Sequence, residues 1–292
     1  MSKKFEMMLA KGYDPKRVLS WKDTFVEPKM DGVRVAVLVD KADTARPRYY
    51  SRNGRELKML SHLNKCVLDL RRTLRMYEDM RDGIMLDAEV CGPTFEDVAG
   101  AIHRKATTVT SCYLYVFHAM PLKCFRAGMD TKSQGQRARM LATVAATLYN
   151  REDTAVHVAV PRRVLTDRQV REAYAEYRAL NYEGAMVKDM GTAWTARRTH
   201  AWMKLKEERS VDVRVIGMKE GTGKYRGMCG ALYVNHNGKE VRVSGMTDAQ
   251  RVEFWNDRNS IVGHMVEVEY QEVTKNGSLR HPRFKRVRED KE

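Results

Sequence analysis

Lys29 sits in the stretch Glu27-Pro28-Lys29-Met30-Asp31-Gly32-Val33-Arg34. An Asp-Gly pair signals a tight turn, so the lysine just before it is held by backbone. A lysine is a nucleophile only as the neutral amine, and the reference pKa of the side chain is about 10.4. Nearby cations or desolvation favour the neutral form. Alone, the stretch reads equally as a surface lysine beside a hairpin turn. Further groups capable of chemistry follow along the chain. Arg52 sits in Ser51-Arg52-Asn53-Gly54, Glu89 in Leu86-Asp87-Ala88-Glu89-Val90, and Phe117 ends an apolar run. Glu183 and Lys188 frame Glu183-Gly184-Ala185-Met186-Val187-Lys188, and Lys204 and Lys206 alternate in Trp202-Met203-Lys204-Leu205-Lys206. On a strand, Lys204 and Lys206 point to one face; the plain alternative is a solvated strand face. Basic and apolar residues alternate from Arg280 to Lys291, which otherwise reads as a frayed basic tail.

Strands and helices must hold these groups in place. The β-branched run 33–39 reads as a strand, and 49–51 leads into the turn signal Arg52-Asn53-Gly54, as in a hairpin. Residues 62–80 read as a helix with Leu63, Val67, Leu70 and Leu74 on one face. Strands are expected at 84–90, 112–117, 185–188 and 201–205. A helix is expected over 134–149. Thr166 and Gln169 have the form of a capping box before a helix whose Val170, Ala173, Tyr174 and Tyr177 share a face. Near Arg209 the character changes to short alternating strands at 211–218, 231–234, 241–244 and 265–273, with one helix at 247–256. That pattern suits a small β-barrel. The expected division is 1–208, an α+β domain, and 209–292, a barrel.

The chain has 292 residues, enough for two domains and for a core without disulfide or metal staples. It is 43% hydrophobic and 31% charged, which excludes collagen-like, disordered and coiled-coil classes. No run of 18 apolar residues exists, so no membrane-spanning helix is expected, and residues 1–10 lack the apolar core of a secretory signal. The net charge of +15 attracts polyanions, nucleic acid first and an anionic membrane surface second. Residues 1–208 carry 37 basic and 26 acidic groups and residues 209–292 carry 16 and 12. Both halves are therefore basic, as a clamp on an anionic ligand requires. Cys66, Cys91, Cys112, Cys124 and Cys229 are odd in number, and no two are spaced as zinc ligands. They fit a reducing cytoplasm.

Taken in order, these stretches resemble the motif series of the covalent nucleotidyltransferases, from motif I at Lys29 to motif VI at the C-terminus. The likeness is greatest to compact ATP-dependent DNA ligases of bacteriophages, of the podovirus type. Asn276-Gly277-Ser278-Leu279-Arg280-His281-Pro282-Arg283-Phe284 is similar to the end of those ligases. The motifs span residues 27 to 291, nearly the whole chain.

The resemblance implies an adenylation domain of antiparallel sheets with flanking helices, followed by an OB-fold β-barrel. It implies that Lys29 attacks the α-phosphate of ATP and becomes lysyl-AMP. Lys204 and Lys206 are expected to hold the α-phosphate and favour the neutral amine. The site needs fixed cations and a metal for the charge on the phosphate oxygens. Glu183 is the expected ligand of Mg²⁺, for which Mn²⁺ substitutes, because hard oxygen donors suit that ion. It also reads as a strand-end glutamate. Glu89 and Arg34 match ribose contacts, and Glu27 lies near the adenine amino group. Phe117 matches the aromatic that stacks on adenine, although core packing explains it equally. Arg52 matches a contact to the nucleotide or to the 5′-phosphate of a nick, where its planar fork suits phosphate. Arg283, Arg286, Arg288 and Lys291 match a mobile barrel that closes over ATP and then grips DNA. Lys224 and Arg226, in Gly223-Lys224-Tyr225-Arg226, offer phosphate contacts or form an exposed hairpin.

The chain departs from the family pattern at three places. His118 follows the stacking aromatic where Asp is usual, Ala88 replaces Gly, and Met30 replaces Tyr. The implied activity is sealing of nicked duplex DNA by a monomer in the cytoplasm, that of the host if the gene is a phage's. The alternatives are a double-stranded RNA ligase, a GTP-dependent mRNA capping guanylyltransferase, and a catalytically dead duplex binder.

Overall fold

The computed structural model describes residues 5–18, 20–41, 46–103, 111–148, 155–274 and 276–291. Tyr149, at the end of the expected 134–149 helix, lies outside them. The chain forms two compact units, Met1–Lys206 and Glu207–Glu292.

In the first unit the strands are β1 (Leu9–Gly12), β2 (Thr24–Lys29), β3 (Val33–Asp40), β4 (Arg48–Ser51), β5 (Gly83–Cys91), β6 (Tyr113–Pro121), β7 (Met129–Ser133), β8 (Val156–Val158), β9 (Arg162–Val164), β10 (Gly184–Asp189), β11 (Ala193–Thr195) and β12 (Arg198–Lys206). Its helices are α1 (Pro15–Val18), α2 (Asn64–Leu74), α3 (Phe95–His103), α4 (Leu122–Ala127), α5 (Gln134–Leu148) and α6 (Asp167–Ala179). Two five-stranded sheets result, ordered β1-β12-β10-β2-β9 and β4-β3-β5-β6-β8, with β7 and β11 as a separate ribbon. Pairing is antiparallel except for β1 on β12 and β8 on β6.

Burial on both faces explains the unbroken apolar run of β3. Val35, Val37 and Val39 enter a core shared with Leu63, Val67, Leu70 and Leu74 of the α2 region and with Leu141 and Val144 of α5. Ala36 and Leu38 face the opposite way, into a core with Met85, Met120, Trp194 and Trp202. A third cluster seats Val170 and Ala173 of α6 against Val26, Ala185 and Met203. Each such aliphatic side chain contributes roughly 1.5–3 kcal/mol when fully buried.

The helix expected over 62–80 is shorter. A 3₁₀ turn at Lys58–Leu63 precedes α2, which stops at Leu74, and Tyr77 is extended before a second turn at Glu78–Met80. The apolar stripe ends at Leu74, and Met76 lies exposed. The Asp-Gly turn after Lys29 is not a hairpin either. It carries the chain from β2 in one sheet to β3 in the other.

The second unit contains β13 (Arg209–Glu220), β14 (Cys229–His236), β15 (Lys239–Val243), α7 (Asp248–Asn256), β16 (Met265–Tyr270) and β17 (Arg283–Val287). The strand order is β15-β14-β13-β16-β17. The Phe284 N–H donates to the Ser244 carbonyl at 2.7 Å, which closes β17 on the end of β15 and makes a barrel. Thr247 and Gln250 form a full capping box on α7, and Phe254 of that helix packs on Phe284 in the barrel core.

Candidate active site

Three neighbouring strands of the first sheet carry one wall of a cavity of about 250 Å³. Register decides which side chains share its face. Glu27 of β2 stands opposite Met186 of β10, which stands opposite Lys204 of β12. One step along, Lys29, Gly184 and Lys206 form the next row. Lys29 is the last residue of β2, and its carbonyl accepts the Glu183 N–H at 3.0 Å. The Lys29 ammonium donates to the Glu183 carboxylate. Lys204 lines the cavity, whereas Lys206 lies one row beyond on the same face.

The opposite wall comes from the second sheet. Arg34 on β3 pairs in register with Glu89 on β5, and Glu89 with Tyr115 on β6. The Arg34 guanidinium grips Asp87 at 2.8 and 2.7 Å, and Asp87 also accepts the Trp194 indole N–H at 3.1 Å. Phe117 is at once partly buried in the core and on the cavity wall, so the two sequence readings of it both hold in part. Its ring meets Trp202 edge-on at 5.7 Å between centroids. The Lys188 ammonium lies 5.0 Å from the Phe117 ring and 4.6 Å from Trp202, within cation–π reach. Arg52, exposed in the turn after β4, reaches the same cavity.

The electrostatics are those of a site built for an anion. Burial, then Lys206 and Lys29, hold the Lys204 ammonium below the usual lysine range, so the three lysines lie within one another's field. Burial pushes the Glu89 carboxyl up to about 7, with Lys29 and Arg34 pulling it down and Glu183 pushing it up. Burial also raises the Glu27 carboxyl, against the pull of Lys188, whose ammonium meets it at 2.5 Å. Both side chains of that pair are almost wholly buried, so removing either would strand a charge and cost about 3–5 kcal/mol.

Sequence reasoning named most of these residues but gave no role to Lys188, Trp202 and Tyr115 as cavity residues. Lys188 and Trp202 sat inside recognised stretches, and alternation with Met186 and Lys204 was the available signal. Asp87 was visible only as a motif neighbour of Glu89. Among the described residues, no three His, Cys, Asp or Glu side chains converge to hold a metal. None of the described helices is long and apolar enough to cross a membrane, and the five cysteines are free.

The cations of the second unit divide by partner. Lys224 and Arg226 are exposed on the loop between β13 and β14. The Lys224 ammonium stands over the Tyr225 ring at 4.4 Å, and the Arg251 guanidinium stands over the same ring at 4.4 Å. Arg251 is itself buried, donating to the Cys229 and Gly230 carbonyls at 2.6 and 2.9 Å, and so pins the loop's base. On β17, Arg286 meets Glu267 at 2.8 Å. Arg288 donates to Asp212 at 2.9 Å and to Asp290 at 2.7 Å. Arg283 is exposed and makes no ion pair among the described residues.

Comparison with known proteins agrees with this fold. The family "ATP dependent DNA ligase domain" matches residues 7–206, and "DNA ligase OB-like domain" matches residues 220–288. The DNA ligase of Enterobacteria phage T3 is 26% identical over 312 residues, covering 89% of this chain and 88% of that one. The DNA ligase of Escherichia phage T7 is 24% identical over 323 residues, covering 88% of each. The solved structure of Pmar-Lig_Pre superposes with a TM-score of 0.80 at 27% identity, covering 98% of this chain and 68% of that one. The RNA ligase and capping alternatives are set aside accordingly. With its motif residues on facing sheets and a barrel behind them in sequence, the chain belongs to the ATP-dependent DNA ligase family.

Proposed function

We propose that this enzyme seals 5′-phosphate/3′-hydroxyl nicks in duplex DNA with Lys29 as its nucleophile. Once the ammonium has shed its proton, Lys29 Nζ attacks the α-phosphorus of ATP. A P–N bond forms, the bond to the bridging oxygen of the β-phosphate breaks, and pyrophosphate leaves. The AMP then passes to the 5′-phosphate of the nick, which frees the lysine. Finally the 3′-hydroxyl oxygen attacks that 5′-phosphorus, the phosphodiester forms and AMP leaves. The observation that carries this reading is the position of Lys29 at the end of β2, on a cavity that also presents Lys204, Arg34, Glu89 and Phe117.

In this reading Phe117 stacks on the base, Glu27 accepts from its amino group, Glu89 and Arg34 hold the ribose, and Lys204 and Lys206 hold the α-phosphate. Arg52 reaches the nucleotide or the nick phosphate. The donor set suits Mg²⁺, or Mn²⁺ in its place. Glu183 already accepts a cation, the Lys29 ammonium, and loses that partner when Lys29 Nζ becomes the uncharged nitrogen of a phosphoramidate. Glu183 would hold the ion through its carboxylate. Bound there, the ion supplies positive charge against the developing phosphate charge. On the second unit, Lys224, Arg226, Arg283, Arg286 and Arg288 are the proposed contacts to duplex DNA. The enzyme acts as a monomer in the cytoplasm, that of the host if the gene is a phage's.

Labelling with α-labelled ATP tests the assignment. Lys29→Ala should give no labelled protein, yet should still seal a pre-adenylated DNA nick. A label retained on the variant moves the nucleophile elsewhere. Nicks of all-DNA, all-RNA and the two mixed kinds, run in parallel, should show the all-DNA nick sealed best.

A further inference from the structure

A buried polar layer lies directly behind the cavity wall, and its centre is His118. Asp87 pairs in register with His118 and Ala88 with Val116, so Phe117 is the extra residue of a β-bulge in β6. A bulge lets two successive side chains face the same side of a sheet. Without it, the residue after Phe117 would turn into the aliphatic core beneath. His118 is 2% exposed and borders a small cavity shared with Glu27, Phe117, Gln134 and Lys188. Its Nε2 lies 3.4 Å from Asp130 Oδ2 and has no well-formed hydrogen bond. Asp130, on β7, is held in turn by Arg137 of α5 through two contacts of 2.8 Å.

The surrounding charges are already matched. Glu27 pairs with Lys188, Asp87 with Arg34, and Asp130 with Arg137. Arg137 and Lys132 both reach Asp79, at 2.8 and 3.2 Å. No net charge is left for His118 to balance, and burial keeps the imidazole in its neutral form against the pull of Asp130 and Asp87. A neutral donor is what the position accepts. A second carboxylate beside Asp130 would be repelled at short range in a medium of low dielectric.

We infer that His118 is a positioning residue for nucleotide binding, which sets the Phe117–Lys188 wall of the cavity against the Asp130–Arg137 pair through the 3.4 Å polar contact of its Nε2 with Asp130 Oδ2. The inference rests on the proposed reading that the base of ATP binds against Phe117. His118 does not touch the nucleotide. It sets the placement of the ring beside it and of the Glu27–Lys188 pair across the small cavity. Loss of the contact should therefore weaken ATP binding more than it slows phosphoryl chemistry.

Four variants of the full chain separate the possibilities. His118→Gln keeps a neutral donor at the place of Nε2, His118→Asn holds its amide too short to reach Asp130, and His118→Leu removes the donor. Phe117→Leu tests the underlying reading. The measurement is the ATP dependence of lysyl-adenylate formation, with the melting temperature of each variant alongside. His118→Asn and His118→Leu should raise KM for ATP about tenfold or more while the maximal rate falls by less than about threefold. His118→Gln should stay within about threefold of wild type in both. If His118→Leu does not fold, His118→Asn, close to His118→Gln in size and polarity, carries the comparison. Lowered melting temperatures with KM unchanged would mean a structural role only and would overturn the inference. So would a His118→Gln enzyme as impaired as His118→Asn. If Phe117→Leu leaves KM for ATP unchanged, the base lies elsewhere and the underlying reading fails first.

Discussion

Glu89 stands between Lys29 and Arg34 in the cavity yet titrates far from an ordinary glutamate, raised from 4.5 to about 7 chiefly by burial. A carboxyl raised on folding contributes stability below its unfolded pKa and loses it as pH rises. For Glu89 that window runs from about 4.5 to about 7, and the shift bounds the loss at about 3 kcal/mol. Glu89→Gln removes the titration. Melting temperature should then fall less for the variant than for wild type between pH 5 and pH 8, by a few degrees. Parallel melting curves across that range would refute the burial argument. Glu89 also shows what one sequence reveals at this scale. Lys29, Arg34, Glu89, Glu183 and Lys204 were legible because their motifs are short and ordered. The partners that fix them were not. Asp87 and Trp194 meet across 107 residues, and Asp130 reaches His118 from another strand, contacts for which no local spacing gives a sign.

Strand β2 was the least legible of the elements that matter. Thr24–Lys29 contains Pro28, which argues against an interior strand. The structure accommodates it because β9 pairs only with residues 24–26, leaving β2 an edge on that side at Pro28. The helices at 134–149 and 247–256 and the first four barrel strands were readable from periodicity and caps, whereas β17 was hidden in a stretch read as a basic tail and the 62–80 helix was overextended past its apolar stripe. At this scale Gly184 is decisive. It sits between Lys29 and Lys206 in register, and a Cβ there would lie 2.2 Å from the Leu205 carbonyl oxygen. Backbone has to move to admit it, at a cost of roughly 1–3 kcal/mol. Gly184→Ala should therefore lower the melting temperature and slow adenylation together, because Glu183 directly precedes Gly184 and β12 carries Lys204 and Lys206. Gly217→Ala is the matched control, with nothing within 4 Å of the added carbon. A Gly184→Ala enzyme that melts and adenylates like the control would show that the strand spacing is slack.

For the molecule as a whole, the net charge of +15 predicts duplex binding dominated by phosphate contacts. Charge alone cannot say which cations make them; their partners within the second unit can. Arg283 and Arg226 are exposed and have no ion pair among the described residues, so a phosphate costs them no existing partner. Arg288 is different. It is tied to Asp212 and Asp290, and its side chain is only 16% exposed. Its first duty in the free enzyme is to hold β17 to β13, and a phosphate must compete with two carboxylates for it. The salt dependence of binding to a nicked duplex separates the two kinds. Removing a cation that binds one phosphate should make the slope of log K against log salt shallower by about 1. Arg283→Ala and Arg226→Ala should each show that change with melting temperature unaltered. Arg288→Ala should lower the melting temperature of the second unit and move the slope less. The reverse pattern, a shallower slope for Arg288→Ala alone, would mean that the carboxylates release Arg288 to DNA and that the ion pairs of the free enzyme are exchanged on binding.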